Sequence, residues 1–266
     1  MKILKEYISV LFQKLGIKII ESPSSGFEYL LKKDRYEEHT VKLTGVPFDI
    51  SDGHSFYYSQ KEIFIDDIYR FQSDKKDPLI IDCGSNYGTS IVYFKQLYAD
   101  SAIIGVEADP YIFEILTNNI KQRSFSNITL INKAISEEKS PITFFSEGAD
   151  GGRIHNMDNP KNSYNVETIA LDELIDGEVD FLKMDIEGAE TDVLCDSKKL
   201  DKVKQMFIEY HSFTDENQRL GDLLSCLSRN NFRYYIHTQF CSKNPLVHNE
   251  SQLGMDLQLN IFVKRN

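Results

Sequence analysis

The segment Leu182-Lys183-Met184-Asp185-Ile186-Glu187-Gly188-Ala189-Glu190 sets three carboxylates and an ammonium within nine residues, overlapping the apolar run from Val179 to Met184. That run has the character of a strand covered on both faces. Acids at its end fall where ligands of open α/β sheets sit, beyond the carboxyl ends of the strands. If extended backbone persists through residue 187, side chains two apart share a face. Lys183, Asp185 and Glu187 then point one way, and Leu182, Met184 and Ile186 the other. Lys183 is expected to pair with one of these acids, because a lone buried ammonium is costly. Glu190 reads as an ordinary first-turn acid of the next helix, favoured by its dipole. A second run repeats the pattern: Phe207, Glu209 and His211 share a face, with His211 expected at the strand's exit.

These residue types suggest proton and charge chemistry. Asp185 and Glu187 can position hydroxyl groups, support a positive centre, or bind a divalent cation together with Glu209 and His211. Oxygen-rich sets suit Mg²⁺, and a cation would lower the pKa of a bound hydroxyl. His211 is the candidate general base, since imidazole titrates near neutrality. His155, in a polar stretch further upstream, is its rival.

A second motif, Asp82-Cys83-Gly84-Ser85-Asn86-Tyr87-Gly88, closes the first apolar strand. Two glycines four apart let the chain turn sharply and bring a ligand near bare amides at a helix N-terminus. The spacing is Gly-x-x-x-Gly with an acid two residues before it, unlike the G-x-G-x-x-G of dinucleotide folds. Such an acid suits an amino-bearing ligand better than a pyrophosphate. Glu107 follows 19 residues after Gly88 at the end of a second strand, where an acid can accept both hydroxyls of a ribose. A nucleoside with a ribose diol and an ammonium group results; S-adenosylmethionine fits, and NAD fits less well.

The elements that must position these residues alternate regularly. Strands are expected at Pro78 to Cys83, Ala102 to Val106, Ile128 to Ile135, Val179 to Met184, Met206 to Tyr210, Phe232 to His237 and Leu259 to Lys264. Helices are expected from the glycine turn through Gln96, at Pro110 to Gln122 capped by Asp109, at Leu171 to Ile175, from Ala189 onward, and at Glu216 to Arg229. That alternation implies an α/β fold of Rossmann-like type, a seven-stranded mostly parallel sheet with helices on both faces. Residues 136–166 are polar and read as a site-covering loop with short strands. Residues 41–72 read as short strands around the turn Ser51-Asp52-Gly53. The chain divides at the charged linker 73–77 into an N-terminal extension (1–72) and a main domain (73–266).

The 266 residues carry a net charge of −11 and no Lys/Arg-rich block, which argues against a nucleic-acid backbone as main partner. Four scattered cysteines without a C-x-x-C pair suit a reducing cytoplasm. Leu4, Ile8, Leu11 and Leu15 fall at helical spacing, with Lys2, Lys5, Lys14 and Lys18 elsewhere on the wheel, so residues 1–20 read as an amphipathic helix packed on this domain or on a second subunit, with a basic helix lying on a membrane surface as the alternative. They do not read as a signal peptide or membrane span.

The quoted stretches IIDCGSNYGTSIVYF, IIGVEADP, DFLKMDIEGAE and IEYH together resemble the FkbM family of class I S-adenosylmethionine-dependent O-methyltransferases, over roughly residues 60–265. DFLKMDIEGAE is the most specific part. The resemblance implies that Asp82, Gly84 and Gly88 line the methionine end of the donor, with Ser85 and Asn86 in the same loop. Glu107, with Ala108 beside it, would hold the ribose. Many class I enzymes carry an acid facing the adenine amine after the third strand. Here Asn132-Lys133-Ala134 stands there, so the Asn132 amide or the Ala134 backbone would substitute. The acceptor implied is a hydroxyl of a saccharide, sugar nucleotide or related polar natural product. Tyr57, Tyr58 and Tyr69 are candidates to stack on a sugar. A nicotinamide-dependent oxidoreductase lacks its third glycine and its catalytic pair here. A non-catalytic nucleoside binder is the other alternative.

Overall fold

The computed structural model describes residues 26–138, 141–146, 148–149, 152 and 162–265. The helix expected over residues 1–20 and His155 lie outside the described residues. The described chain opens with a 3-10 turn, Glu28–Lys32, and an antiparallel hairpin of β1 (His39–Leu43) and β2 (Val46–Ile50). Ser51-Asp52-Gly53 is not a turn between strands. Asp52 caps helix α1 (Gly53–Phe64), its Oδ1 accepting from the Ser55 amide at 2.8 Å. Its Oδ2 accepts from the Tyr36 amide at 2.7 Å and from Arg35 Nε at 2.8 Å. An N-cap acid followed by Phe56, Gln60, Ile63 and Phe64 at helical spacing outweighs the β-propensity of Phe56, Tyr57 and Tyr58.

The main sheet begins at β3 (Leu79–Cys83), followed by α2 (Thr89–Leu97), β4 (Ala102–Glu107), α3 (Pro110–Lys121) and β5 (Ile128–Asn132). Four short strands come next: β6 (Ala134–Ile135), β7 (Ile142–Ser146), β8 (Asn162–Val166) and β9 (Thr168–Ile169). Then come α4 (Leu171–Leu174), β10 (Val179–Met184), α5 (Glu190–Asp196), β11 (Val203–Phe213), α6 (Leu220–Arg229), β12 (Phe232–Cys241) and β13 (Met255–Arg265). The seven strands are ordered β12-β13-β11-β10-β3-β4-β5, and β13 alone runs antiparallel to its neighbours. After β3 the chain builds outward through β4 and β5, then returns to lay β10 on β3's other side. That reversal opens a crevice between the ends of β3 and β10. There Asp82 stands opposite Lys183 and Cys83 opposite Met184.

Helices on both faces bury two apolar clusters. One joins Phe48 and Phe56 from the N-terminal region to Phe94, Phe181 and Phe207. The other gathers Ile81, Leu182, Met184 and Ile208 beneath α4–α6. Alternate residues of one strand thus feed opposite cores.

Some elements differ from expectation. The strand expected over 128–135 breaks at Lys133, because β6 leaves the main sheet to pair with β9. β11 continues to Phe213, so His211 lies inside a strand opposite Gln258 of β13 rather than at an exit. The segment 73–77 ties down the sheet's other end: Lys75 Nζ sits 2.9 Å from Asp180 Oδ2, and Ser73 Oγ 3.2 Å from Asp180 Oδ1.

Candidate active site

β10 stops at Met184. Asp185 stays attached to β3 through its amide, which donates to the Cys83 carbonyl at 3.2 Å. Extended backbone then ends, since Glu187 has φ +57° and Gly188 +109°. A side chain at 188 would approach Phe213 to 3.0 Å, so both conformation and space require glycine. Alternation therefore does not place Lys183, Asp185 and Glu187; a left-handed turn does, and all three still line one cavity.

Glu190 is no ordinary helix acid. Its side chain is 1% exposed, and its Oε1 accepts from the amides of Ile186 at 3.1 Å and Gly188 at 3.0 Å. The same oxygen lies 3.0 Å from His211 Nδ1. One carboxylate thus shapes the turn that presents Glu187 and holds the neighbouring imidazole. His211 Nε2 faces Glu187 Oε2 at 3.7 Å. Burial alone would lower the His211 pKa, but Glu187 and Glu190 on its two sides raise it well above the usual histidine value. His211 is 1% exposed and does not line the cavity. Its ring nitrogens lie instead against Glu187 and Glu190.

Lys183 Nζ lies 3.0 Å from Asp185 Oδ2 and 3.6 Å from Asp82 Oδ1, and donates to the Gly84 carbonyl at 2.7 Å. Burial opposes its charge, yet Asp185, Tyr69 and Asp82 hold it well above the usual lysine range. Asp82 is fully buried and accepts from Ser90 Oγ at 2.6 Å. Gly84, at φ +83°, brings β3 against β10 so closely that a Cβ would fall 1.8 Å from the Asp185 carbonyl oxygen. Gly88, at φ +91°, precedes α2, and a Cβ there would meet Leu116 of α3 at 2.8 Å. Helix packing, rather than contact with the cavity, requires this second glycine.

Glu107 ends β4. Its Oε2 accepts from the Asn86 amide and its Oε1 from the Asp109 amide, each at 2.9 Å. A carboxylate offers about four lone-pair sites, so acceptor capacity remains for a diol. Burial pushes its pKa up to about 7, against those two hydrogen bonds. Asn132 turns away: its Nδ2 donates to the carbonyls of Glu107 at 2.9 Å and Ala108 at 3.1 Å.

A cavity of about 950 Å³ runs across the crevice. Of the residues expected at the donor, Gly84, Ser85, Asn86, Glu107, Ala108, Ala134 and Asp185 line it. Asp82, Gly88 and Asn132 stand behind that surface. Sequence reasoning missed Glu62 of α1, Gln239 of β12, and Phe213, Met255 and Gln258 of β11 and β13, which complete the walls. Their sequence separations offered no signal. Among the described residues the lining carries six carboxylates, Glu62, Glu107, Asp109, Asp185, Glu187 and Glu209, against the cations Lys183 and Arg35. Both cations already sit on carboxylates. Burial pushes Glu209 up to about 8, helped by Asp185 and opposed by His211.

Asp185, Glu209 and His211 bring one ligand atom each within 4.8 Å of one another. This set does not fit Mg²⁺. It mixes in a nitrogen where Mg²⁺ prefers oxygens in near-ideal octahedral geometry. The imidazole is held protonated between two acids, and Lys183 already neutralises Asp185 at 3.0 Å.

The strand order, with its single antiparallel strand next to the edge, and the acid-ended crevice define a class I methyltransferase fold. The chain belongs to the FkbM methyltransferase family, whose domain (Methyltransferase FkbM domain) matches residues 82–234. Methyltransferase 1 of Beauveria bassiana is 26% identical over 179 residues, covering 57% of this chain and 72% of its own. The 2-O-methyltransferase NoeI of Sinorhizobium fredii is 28% identical over 159 residues, covering 52% of this chain and 65% of its own, just under two thirds. Among solved structures, TYW2 of M. jannaschii in complex with AdoMet has a TM-score of 0.45 at 12% identity, over 88% of this chain and 89% of that one.

Proposed function

We propose that the protein is an S-adenosylmethionine-dependent O-methyltransferase acting on a hydroxyl of a saccharide or related polyhydroxylated natural product. One observation carries this reading: the crevice places Glu107, with spare acceptor capacity, at one end and Asp185, Glu187 and Glu209 at the other. The excess of carboxylates suits a donor that brings a sulfonium and an ammonium. Glu107 is assigned to the ribose hydroxyls, the Gly84–Asn86 loop to the methionine end, and Ala108, Ala134 and Ile135 to the base.

The donor, when bound, supplies an electrophilic methyl group: the carbon–oxygen bond forms as the carbon–sulfur bond breaks, with its electron pair passing to sulfur. The acceptor proton must leave as this happens. Glu187 is assigned to take it, because it lines the cavity while His211 does not. His211 acts through Glu187 as a positioning residue, its Nε2 lying 3.7 Å from Glu187 Oε2 and holding the carboxylate in place. Asp185, fixed by Lys183, is assigned to orient the acceptor. The 2-O-methyltransferase among the relatives supports oxygen as the methylated atom.

Calorimetric titration with S-adenosylhomocysteine and with NAD tests the donor. Binding of the first alone is expected, and binding of NAD alone would sink the reading. Glu187→Gln is expected to lower turnover roughly 10²–10⁴-fold, the range for a lost general base, with S-adenosylhomocysteine affinity changed less than about threefold. Undiminished turnover removes Glu187 from this role.

A further inference from the structure

The far wall of the cavity holds two amide–carboxyl pairs contributed by four separate elements. Gln239 Nε2 on β12 donates to Glu62 Oε1 on α1, joining residues 177 positions apart. Gln258 Nε2 on β13 donates to Glu209 Oε1 on β11 at 2.5 Å. The pairs share one field, since Glu62 contributes to the raised pKa of Glu209. Each carboxyl spends one oxygen on its amide; Oε2 of Glu62 and Oε2 of Glu209 have no hydrogen-bond partner among the described residues. Gln258 Oε1 is likewise left as an acceptor. Beside them stand Tyr58, 55% exposed, and Phe240, both lining the cavity.

Building on the O-methyl transfer reading above, we propose that the pairs Glu62–Gln239 and Glu209–Gln258 form an acceptor subsite that selects an uncharged polyhydroxylated ring and rejects phosphorylated or carboxylated acceptors. The wall offers a surplus of oxygen acceptors, so its ligand must bring donors. Hydroxyl groups do so, whereas phosphates and carboxylates bring only acceptors and, above about pH 8 where Glu62 and Glu209 are ionised, like charge. Like-charge juxtaposition in a partly desolvated site strongly disfavours the wrong partner. Among the described residues no cation lining the cavity offsets it, because Lys183 and Arg35 already face Asp185 and Asp52. An amine would be attracted, but the same carboxylates would hold it protonated, without the lone pair a methyl transfer needs. The aromatic faces suit the carbon–hydrogen face of a sugar ring. This excludes sugar nucleotides bound by their phosphates within the cavity.

The test uses the full chain with labelled S-adenosylmethionine and four matched probe sets: methyl glycosides of common hexoses, the corresponding uronic acids, the hexose 6-phosphates and the 2-amino sugars. The neutral glycosides are expected to give kcat/KM at least about tenfold above the other sets. Glu62→Gln is expected to raise KM for the neutral probe more than it lowers kcat. Gln239→Lys combined with Glu62→Gln, which leaves the new ammonium without its carboxylate neighbour, is expected to shift preference toward uronic acids. Anionic probes used as well as neutral ones overturn the proposal, as does an unchanged ranking in that double variant. Transfer to no probe, with S-adenosylhomocysteine still binding, overturns the subsite and leaves the donor reading standing. Failure to bind S-adenosylhomocysteine overturns both.

Discussion

Glu190 performs three tasks with one carboxylate: it accepts two turn amides and partners His211. Removing it leaves His211 Nδ1 and two part-buried amides without their partner. Glu190→Ala is therefore expected to destabilise the protein by roughly 3–5 kcal/mol, the range for breaking a buried ion pair from one side, read from urea unfolding. Glu190→Gln keeps an oxygen for the amides but not the charge. It should recover much of that stability while lowering the His211 midpoint, followed by its imidazole NMR signals. An unmoved His211 midpoint in Glu190→Gln would show that Glu190 is only a structural cap. The residue's helix position disguised it: a first-turn acid explains itself by the dipole, and nothing nearby in sequence announces His211, 21 positions on.

At the scale of elements, the site depends on how closely β3 and β10 cross. Gly84 sits in that crossing with a Cβ position only 1.8 Å from the Asp185 carbonyl oxygen. No side-chain rearrangement relieves a clash between backbone and Cβ. Gly84→Ala is expected to lose stability at or beyond the upper end of the roughly 1–3 kcal/mol typical of overpacking and to abolish S-adenosylhomocysteine binding. Gly177→Ala, where nothing lies within 4 Å, is the matched control and should stay within about 0.5 kcal/mol of the parent. Thermal melting of both variants checks the pair; equal melting temperatures would overturn the crossing argument.

For the whole molecule, concentrating acids around one cavity has a cost that depends on pH. Burial pushes Glu62 and Glu107 up to about 7 and Glu209 up to about 8. In the unfolded chain these carboxyls lose their protons near the ordinary glutamate value of about 4.3. Between there and pH 7–8 the folded state binds more protons, so folding stability falls as pH rises across that window. His211, raised above its usual value, adds a loss in the same direction at higher pH. The urea midpoint of the ligand-free protein is therefore expected to decline from pH 5 to pH 8. A profile that rises over this interval would contradict the burial of these acids. Among the described residues no helix is long and apolar enough to cross a membrane.

Sequence by itself determined whatever depends on near neighbours. The apolar runs of β3, β4 and β10 and the Asp109 cap of α3 needed only periodicity and capping. So did the glycine turn after β3 and the acids at the ends of β4 and β10. Tertiary structure decided what depends on distance in the chain. It fixed Asp52, already the local cap of α1, through Arg35 and Tyr36, 17 and 16 positions away. It buried His211 between Glu187 and Glu190, inside a strand that pairing with β13 carries past residue 211. Glu62 and Gln239 meet at the cavity only because folding brings α1 and β12 together across 177 positions. Side-chain periodicity reports one element's own faces; which faces meet across 100 or more residues is set by packing.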